Sequence, residues 1–396
     1  MSHFASSALT VCLAVLSAIS FALTFWRWIV AVRFPLHRPT GAAHISLPGL
    51  TLLKPLKGCD AETKNCLRSW FLQKYPGPIQ ILLGVADAND QVRLVVRELL
   101  AEFPEADARL IVCEEMLGAN AKVSTLRHLE PHIRHPWIMI SDADVKVPPD
   151  FALNVAPTLE DISVGLVNCF YRLANPSTLA MEWEAVAINA DFWTQVLQSR
   201  SLRPVDFALG AVMTIPAAQL KAIGGFAVLA DYLADDYQLG RQIAKQQKRI
   251  EFATFVAECY DPPLTWMQVW AHQSRWARTI RVCQPAPFFL SILNNSTVWP
   301  LALVCAFPHP PALCAAAFCV IFRIATAVHQ QSRLTQSRRH VVYWWMSPVK
   351  DLLDALVWAA AFLGNKITWR GDRYRILRGG KLIKLNGVTA LRDSAR

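Results

Sequence analysis

Two short apolar runs in the middle of this 396-residue chain stop on carboxylates: Ile79–Val85 gives way to Asp87, and Trp137–Ser141 to Asp142 and Asp144. Runs of that length without a charge read as strands buried on both faces, as in a parallel sheet covered by helices. Acids placed where such strands stop stand at the crevice that an open α/β sheet offers to ligands. The surrounding pattern agrees. Strand-like runs at 50–54, 79–85, 109–113 and 137–141 alternate with helical stretches at 62–73, 90–102 and 122–129. That alternation predicts an α/β fold with a mixed, mostly parallel sheet. Neither GxGxxG nor GxxxxGK[ST] occurs, which argues against dinucleotide or P-loop chemistry.

The ends of the chain are of another kind. Hydrophobic residues make up 53% of it, and the excess lies outside the middle. From 8 to 30 the first charge is Arg27, flanked by Trp26 and Trp28, which predicts a membrane-spanning helix rather than a cleaved leader. A second apolar region, 298–328, is broken by Pro308, Pro310 and Pro311, so a hairpin of two spans is expected. A third, 341–364, carries Lys350, Asp351 and Asp354 in its first half and reads as an interfacial helix entering a short span. Basic residues follow the first span (Arg33, Arg38) and crowd the tail (Arg373, Arg375, Arg378, Lys381, Lys384), which places the middle and the C-terminus on the cytoplasmic side. The net charge of +10 then suits anionic headgroups, not nucleic acid, for which no motif is present. Ten cysteines without metal spacing suit a reduced compartment. The expected organisation is an anchor at 1–33, a cytoplasmic catalytic domain at 47–282, transmembrane or interfacial helices at 283–364 and a basic tail at 365–396, in a multi-pass protein of a bacterial inner membrane.

Four polar clusters carry the candidate chemistry. Asp87 reads either as the N-cap of the helix after it or as a group that hydrogen-bonds a nucleotide base or ribose. Asp142 and Asp144, at alternate positions of an extended segment, point the same way and would repel without a cation between them. Mg²⁺ or Mn²⁺ takes one or two such carboxylates and completes its shell with substrate phosphates. Asp235 and Asp236 follow the Gly224-Gly225 turn, and one of them, Asp236, suits the general base that takes a proton from an attacking hydroxyl. His272, Arg275 and Trp276 lie on one helix with Arg278 and Arg281. Arg275 offers a planar fork to a diphosphate, and Trp276 a flat wall to a sugar or lipid. The basic face formed by Arg278 and Arg281 fits a helix lying on a membrane. Lys54 and Lys57, in the turn before Gly58, are placed to meet phosphate.

Together these residues resemble the ceramide glucosyltransferase family, glycosyltransferase family 21 and its family 2-like relatives. The match rests on Lys54-Pro-Leu-Lys-Gly58, Asp87, Asn120-Ala-Lys122, Asp142-Ala-Asp144, Val164-Gly-Leu166, Asp235-Asp-Tyr237, His272-Gln-Ser-Arg-Trp276 and the tail from Ile367 to Arg375, in that order. The resemblance implies a GT-A (nucleotide-diphospho-sugar transferase) fold, a UDP-sugar donor, a membrane-lipid acceptor and inversion at the anomeric carbon. It implies donor contacts from Lys54, Asp87, Lys122, Asp142 and Arg275, metal at Asp144 and Asp142, base catalysis by Asp236, and an acceptor side formed by Asp235, His272 and Trp276. The family pattern has Gln or Arg where this chain has His272, and animal members resemble Asp-Ser-Gly where it has Asp144. Both departures lean toward a bacterial branch, including hopanoid-associated enzymes that would move N-acetylglucosamine to a bacteriohopanepolyol. Glucose transfer to ceramide is the leading expectation. A processive polysaccharide synthase would need more spans, and a non-enzymatic membrane scaffold leaves the acid clusters without a purpose.

Overall fold

The computed structural model describes residues 2–39, 47–369 and 372–385. Arg370 and Gly371, and the end of the basic tail from residue 386 on, lie outside the described residues. The chain divides into two compact units that interleave in sequence. One comprises Pro35–Asn175, Arg203–Pro262 and the chain from Gly380; the other comprises the N-terminus to Phe34, Pro176–Leu202 and Pro263–Gly379.

The first unit is built on eight strands: β1 (Leu50–Leu56), β2 (Ile79–Val85), β3 (Asp107–Val112), β4 (Trp137–Ser141), β5 (Val145–Lys146), β6 (Val164–Leu173), β7 (Val212–Pro216) and β8 (Arg249–Cys259). They form one sheet in the order β3-β2-β1-β4-β7-β6-β8-β5. The pairs β3–β2, β2–β1, β1–β4 and β6–β8 are parallel, whereas β4–β7, β7–β6 and β8–β5 are antiparallel. β1 is buried along its whole length, and Ile138, Met139 and Ile140 of β4 are fully buried, as strands covered on both faces must be. β1 runs two residues further than expected, through Pro55 and Leu56, before the turn at Gly58 (φ +67°). Gly84 in β2 faces the helix Ala121–Leu129 so closely that a Cβ would overlap the Thr125 methyl group. Because β2, β1 and β4 are parallel, their C-terminal ends share one edge of the sheet, and Asp87 and Asp142 both stand on it.

The second unit is helical. Ala8–Arg33 and Pro310–Thr335, each 26 residues, are long and apolar enough to cross a membrane. The expected hairpin at 298–328 takes a different form. Val298–Ala306 spans only nine residues, too few to cross, and pairs with Pro285–Asn294 across a 58° bend, so the described residues provide two such helices, or three if the bent pair is one span. Met346–Ala361 reaches only 16 residues. The charges at its start do not face an interface as expected: Lys350 and Asp351 are buried. Asp191 receives Arg323 at 2.7 Å, Lys350 at 2.6 Å and Arg27 at 3.4 Å. Arg323 also grips Asp351 with two parallel hydrogen bonds of 2.9 Å. Buried charges persist only when paired in this way. Asp191 itself lies on a single π-helical segment, Ala187–Phe192, between two α-helices. All ten cysteines are free thiols.

Candidate active site

The site in the sheet unit starts where β4 stops. After Ser141 the chain turns over Asp142 and Asp144 into β5, and three other segments hold that turn. Asp142 N–H donates to the Ala211 carbonyl (3.2 Å), Tyr260 N–H to the Asp144 carbonyl (3.1 Å), Cys66 Sγ to the same carbonyl (3.4 Å) and Trp70 Nε1 to the Val145 carbonyl (3.0 Å). Backbone groups fix the turn, so both carboxylates remain available for something else.

Lys54 takes a position that the sequence did not suggest. It is fully buried within β1, with its ammonium over the Trp70 ring (5.1 Å), donating to Ser141 Oγ (3.1 Å) and to the Asp142 carbonyl. Burial pulls its pKa down to about 8, against the pull of Asp144 and Asp142. Lys54 therefore underpins the acid turn from below. The turn that it precedes is held separately, by Gly58 N–H donating to the Asp90 carboxylate (2.8 Å).

Lys122 is the centre of the arrangement. Asn120 caps the helix Ala121–Leu129, accepting from the Lys122 and Val123 amides, and its own amide donates to the Tyr232 carbonyl at 2.7 Å. So held, Lys122 Nζ sits 2.7 Å from Asp142 and 3.3 Å from Asp235. Burial works against its charge, but Asp142 and Asp235 more than offset that, leaving its pKa raised. Two clusters some ninety positions apart in the chain thus share one ammonium. Asp235 and Asp236 open the helix Asp235–Lys245, where the N-terminal dipole favours negative charge. Ten residues upstream, the turn into the short helix Phe226–Leu229 requires glycine: Gly225 has φ +70°, and a Cβ there would overlap the Glu130 carboxylate, which accepts from Phe226 N–H (3.0 Å).

Asp236 differs from its neighbour. Burial and the adjacent Asp235 push its carboxyl up to about 7, with Lys122 holding it back. A carboxylate poised there takes up a proton near neutral pH, which suits a general base. Asp144 is likewise raised to about 7, by burial and by the charges of Asp142 and Asp261. Crowded carboxylates of this kind fit a divalent cation. Among the described residues no cluster of three or more His, Cys, Asp or Glu side chains is placed to hold a metal, so any ion here would need oxygens from its substrate.

Asp87 is exposed and does not cap a helix. The helix begins at Val92 with Gln91 at its cap position, and Asp90 accepts from Val92 N–H at 3.0 Å. Asp87 instead closes a tight turn by accepting from Asn89 N–H (2.8 Å). The N-cap reading of Asp87 is therefore excluded.

His272, Arg275 and Trp276 belong to the helical unit, on the helix Trp266–Cys283, which starts with a Thr265/Gln268 capping box. The His272 ring meets Trp276 edge-on, centroids 4.4 Å apart, and Phe192 lies 6.4 Å from the same indole. His272 Nδ1 donates to Glu184 at 2.6 Å, a partner that nothing in the sequence marked, since Glu184 sits mid-helix in Leu179–Val186 among apolar residues. Arg278 and Arg281 are not a free basic face. Arg278 donates to the Lys366 carbonyl (2.6 Å) and Arg281 to Asn365, which fastens the strand pair Lys366–Trp369 and Asp372–Ile376 to this helix.

Comparison with known proteins agrees with this geometry. Ceramide glucosyltransferase 3 of Caenorhabditis elegans is 22% identical over 351 residues, 85% of this chain and 75% of its own. Ceramide glucosyltransferase of Komagataella phaffii is 37% identical over 103 residues, 25% of this chain and 20% of its own. Among solved structures, a mannosyltransferase from Pyrobaculum calidifontis in complex with GDP-Man and Mn²⁺ superposes with a TM-score of 0.53 at 18% identity, over 89% of this chain and 98% of that one. At that identity the likeness speaks for the fold, a GT-A sheet with apolar helices at the N-terminus and in the C-terminal region. The sequence matches the model of glycosyl transferase family 21 from residue 9 to residue 382, and with acid clusters and helices arranged as described, this chain is a member of that family.

Proposed function

We propose that this glycosyltransferase moves a hexose from a UDP-sugar to a hydroxyl of a membrane lipid with inversion, and that the pair is glucose and ceramide. One observation carries the reading: Lys122 joins Asp142 and Asp235, so that the acid expected at the donor diphosphate and the acid pair expected at the nucleophile surround a single ammonium. The names of the curated relatives supply the lipid and the sugar. The mannosyltransferase structure, with its GDP-Man and Mn²⁺, supports a nucleotide-sugar donor and a divalent cation.

In this reading Asp87 contacts the nucleotide, and Asp142 and Asp144 hold Mg²⁺ or Mn²⁺. When bound, such an ion would neutralise charge on the departing diphosphate. Asp236 accepts the proton of the lipid hydroxyl while its oxygen bonds to the anomeric carbon, and the bond from that carbon to the diphosphate breaks on the opposite face. Asp235 stays paired with Lys122 and raises the basicity of Asp236. Lys54 acts from beneath the acid turn, by positioning. Arg275 on the diphosphate, and His272 and Trp276 on the acceptor, belong to the same proposal.

Transfer of N-acetylglucosamine to a bacteriohopanepolyol is the second reading: His272 and the complete Asp142/Asp144 pair lean toward a bacterial branch, and the lipid is what the assay decides. The test is transfer in detergent with Mn²⁺, offering UDP-glucose, UDP-galactose and UDP-N-acetylglucosamine against ceramide, diacylglycerol and a bacteriohopanepolyol, with products identified by mass spectrometry. Hexosylceramide is the expected product. An N-acetylhexosaminyl hopanoid would select the second reading, and no product from protein that still binds UDP would reject a lipid acceptor of either class.

A further inference from the structure

Glu184 is fully buried, and its Oε1 accepts from both His272 Nδ1 (2.6 Å) and Gln273 Nε2 (3.0 Å). Its Oε2 has no hydrogen-bond partner among the described residues. A carboxylate in that position is costly, and nothing about folding the helix Leu179–Val186 requires it. The imidazole that it holds is 23% exposed and is steadied on one edge by Trp276. The side chain thus has one nitrogen committed inward and the other left over.

We infer that Glu184 is a positioning residue: it fixes the proton of His272 on Nδ1 and so presents the Nε2 lone pair to the hydroxyl of the incoming acceptor. A carboxylate behind an imidazole sets both tautomer and ring orientation. Nε2 then accepts a hydrogen bond from the hydroxyl and aims its oxygen before the proton leaves. The inference rests on the proposed acceptor-side role of His272.

The test is a double-mutant cycle on the full chain in detergent, with E184Q, H272Q and the double variant. In the His272 background E184Q is expected to lower kcat/KM for the lipid by roughly tenfold, the usual scale for a hydrogen bond to a charged group, with the KM for the UDP-sugar within about twofold. In the H272Q background the same change is expected to cost less than about twofold. Equal losses in both backgrounds would make Glu184 a packing support and overturn the inference. Should H272Q be inactive, ¹⁵N-histidine NMR decides. The wild-type signal that disappears in H272Q should show a protonated Nδ1 that E184Q redistributes, whereas a proton on Nε2 overturns the inference. An unchanged lipid kcat/KM in H272A would remove the acceptor-side reading itself, which the cycle alone does not touch.

Discussion

Replacing Lys122 by Met deletes a cation that two carboxylates share. The pairs are close, 2.7 and 3.3 Å, and removing one member of a buried pair costs about 3–5 kcal/mol when the other is left without solvent. Asp142 is 37% exposed, so water replaces part of what it loses, while Asp235 is only 11% exposed and gains little relief. The expected cost is therefore about 2–3 kcal/mol, or roughly 2–4 °C in the unfolding midpoint for a chain of this size. A second effect falls on Asp236. Lys122 holds that carboxyl down against burial and Asp235; without the lysine its pKa rises above about 7. A base works when ionised, so a higher pKa moves the acid limb of kcat/KM to higher pH. K122M should then be most impaired between pH 6 and 7 and recover part of its loss by pH 8. The assay is the rate of lipid glycosylation from pH 5.5 to 9, with thermal unfolding of the same samples. A fall in stability with an unmoved acid limb would refute the coupling of Lys122 to the base. No change in either would mean that the bridge contributes nothing.

The remaining expectations are simpler. D236N should lower transfer by at least about a hundredfold while UDP-sugar binding, measured by calorimetry, stays within a few-fold; lost binding would move Asp236 to the donor site. D144N should weaken Mn²⁺ in the presence of UDP by roughly ten- to a hundredfold, read by activity against Mn²⁺ concentration, and an unchanged requirement would exclude Asp144 as a ligand. R323M leaves Asp191 and Asp351 short of their shared partner and should cost about 3 kcal/mol or more, seen as a lower unfolding midpoint in detergent. G225A forces a side chain into φ +70° and against Glu130, so a loss above about 1 kcal/mol is expected, with a wild-type midpoint ruling out strain at that turn.

The acid clusters were legible because each ends an apolar run or opens a helix, and because backbone fixes their turns. β1 to β4 were legible for the same reason. β6 and β8 were not read as strands: β6 carries Asn168 and Arg172, and β8 carries Glu258, polar residues whose partners lie far off in the chain, Arg172 pairing with Glu258 and Asn168 accepting from Leu209 N–H. Lys54 reads as part of a phosphate-facing turn because a lysine beside a proline and a glycine looks like loop, whereas the strand continues through it. Glu184 left no trace, since its partner His272 lies 88 positions away on another helix. Lys350 and Asp351 were misleading. Periodicity counts a charge as exposed, and only their long-range partners Asp191 and Arg323 make burial possible.

That buried ion cluster also bears on how the molecule is made. Arg27 leaves the ribosome early and enters its span alone, while Asp191, Arg323 and Lys350 are synthesised much later. A single arginine near the end of a span is tolerable during insertion, because its long side chain reaches toward the headgroups. It finds its permanent counter-ion only when the segment 187–192 has been made, and three carboxylates match the three cations only after Asp354, which pairs with Lys350 at 2.7 Å. The first helix is thus inserted early but locked late, and a nascent chain halted before residue 191 would hold an anchor whose charge has not yet been matched.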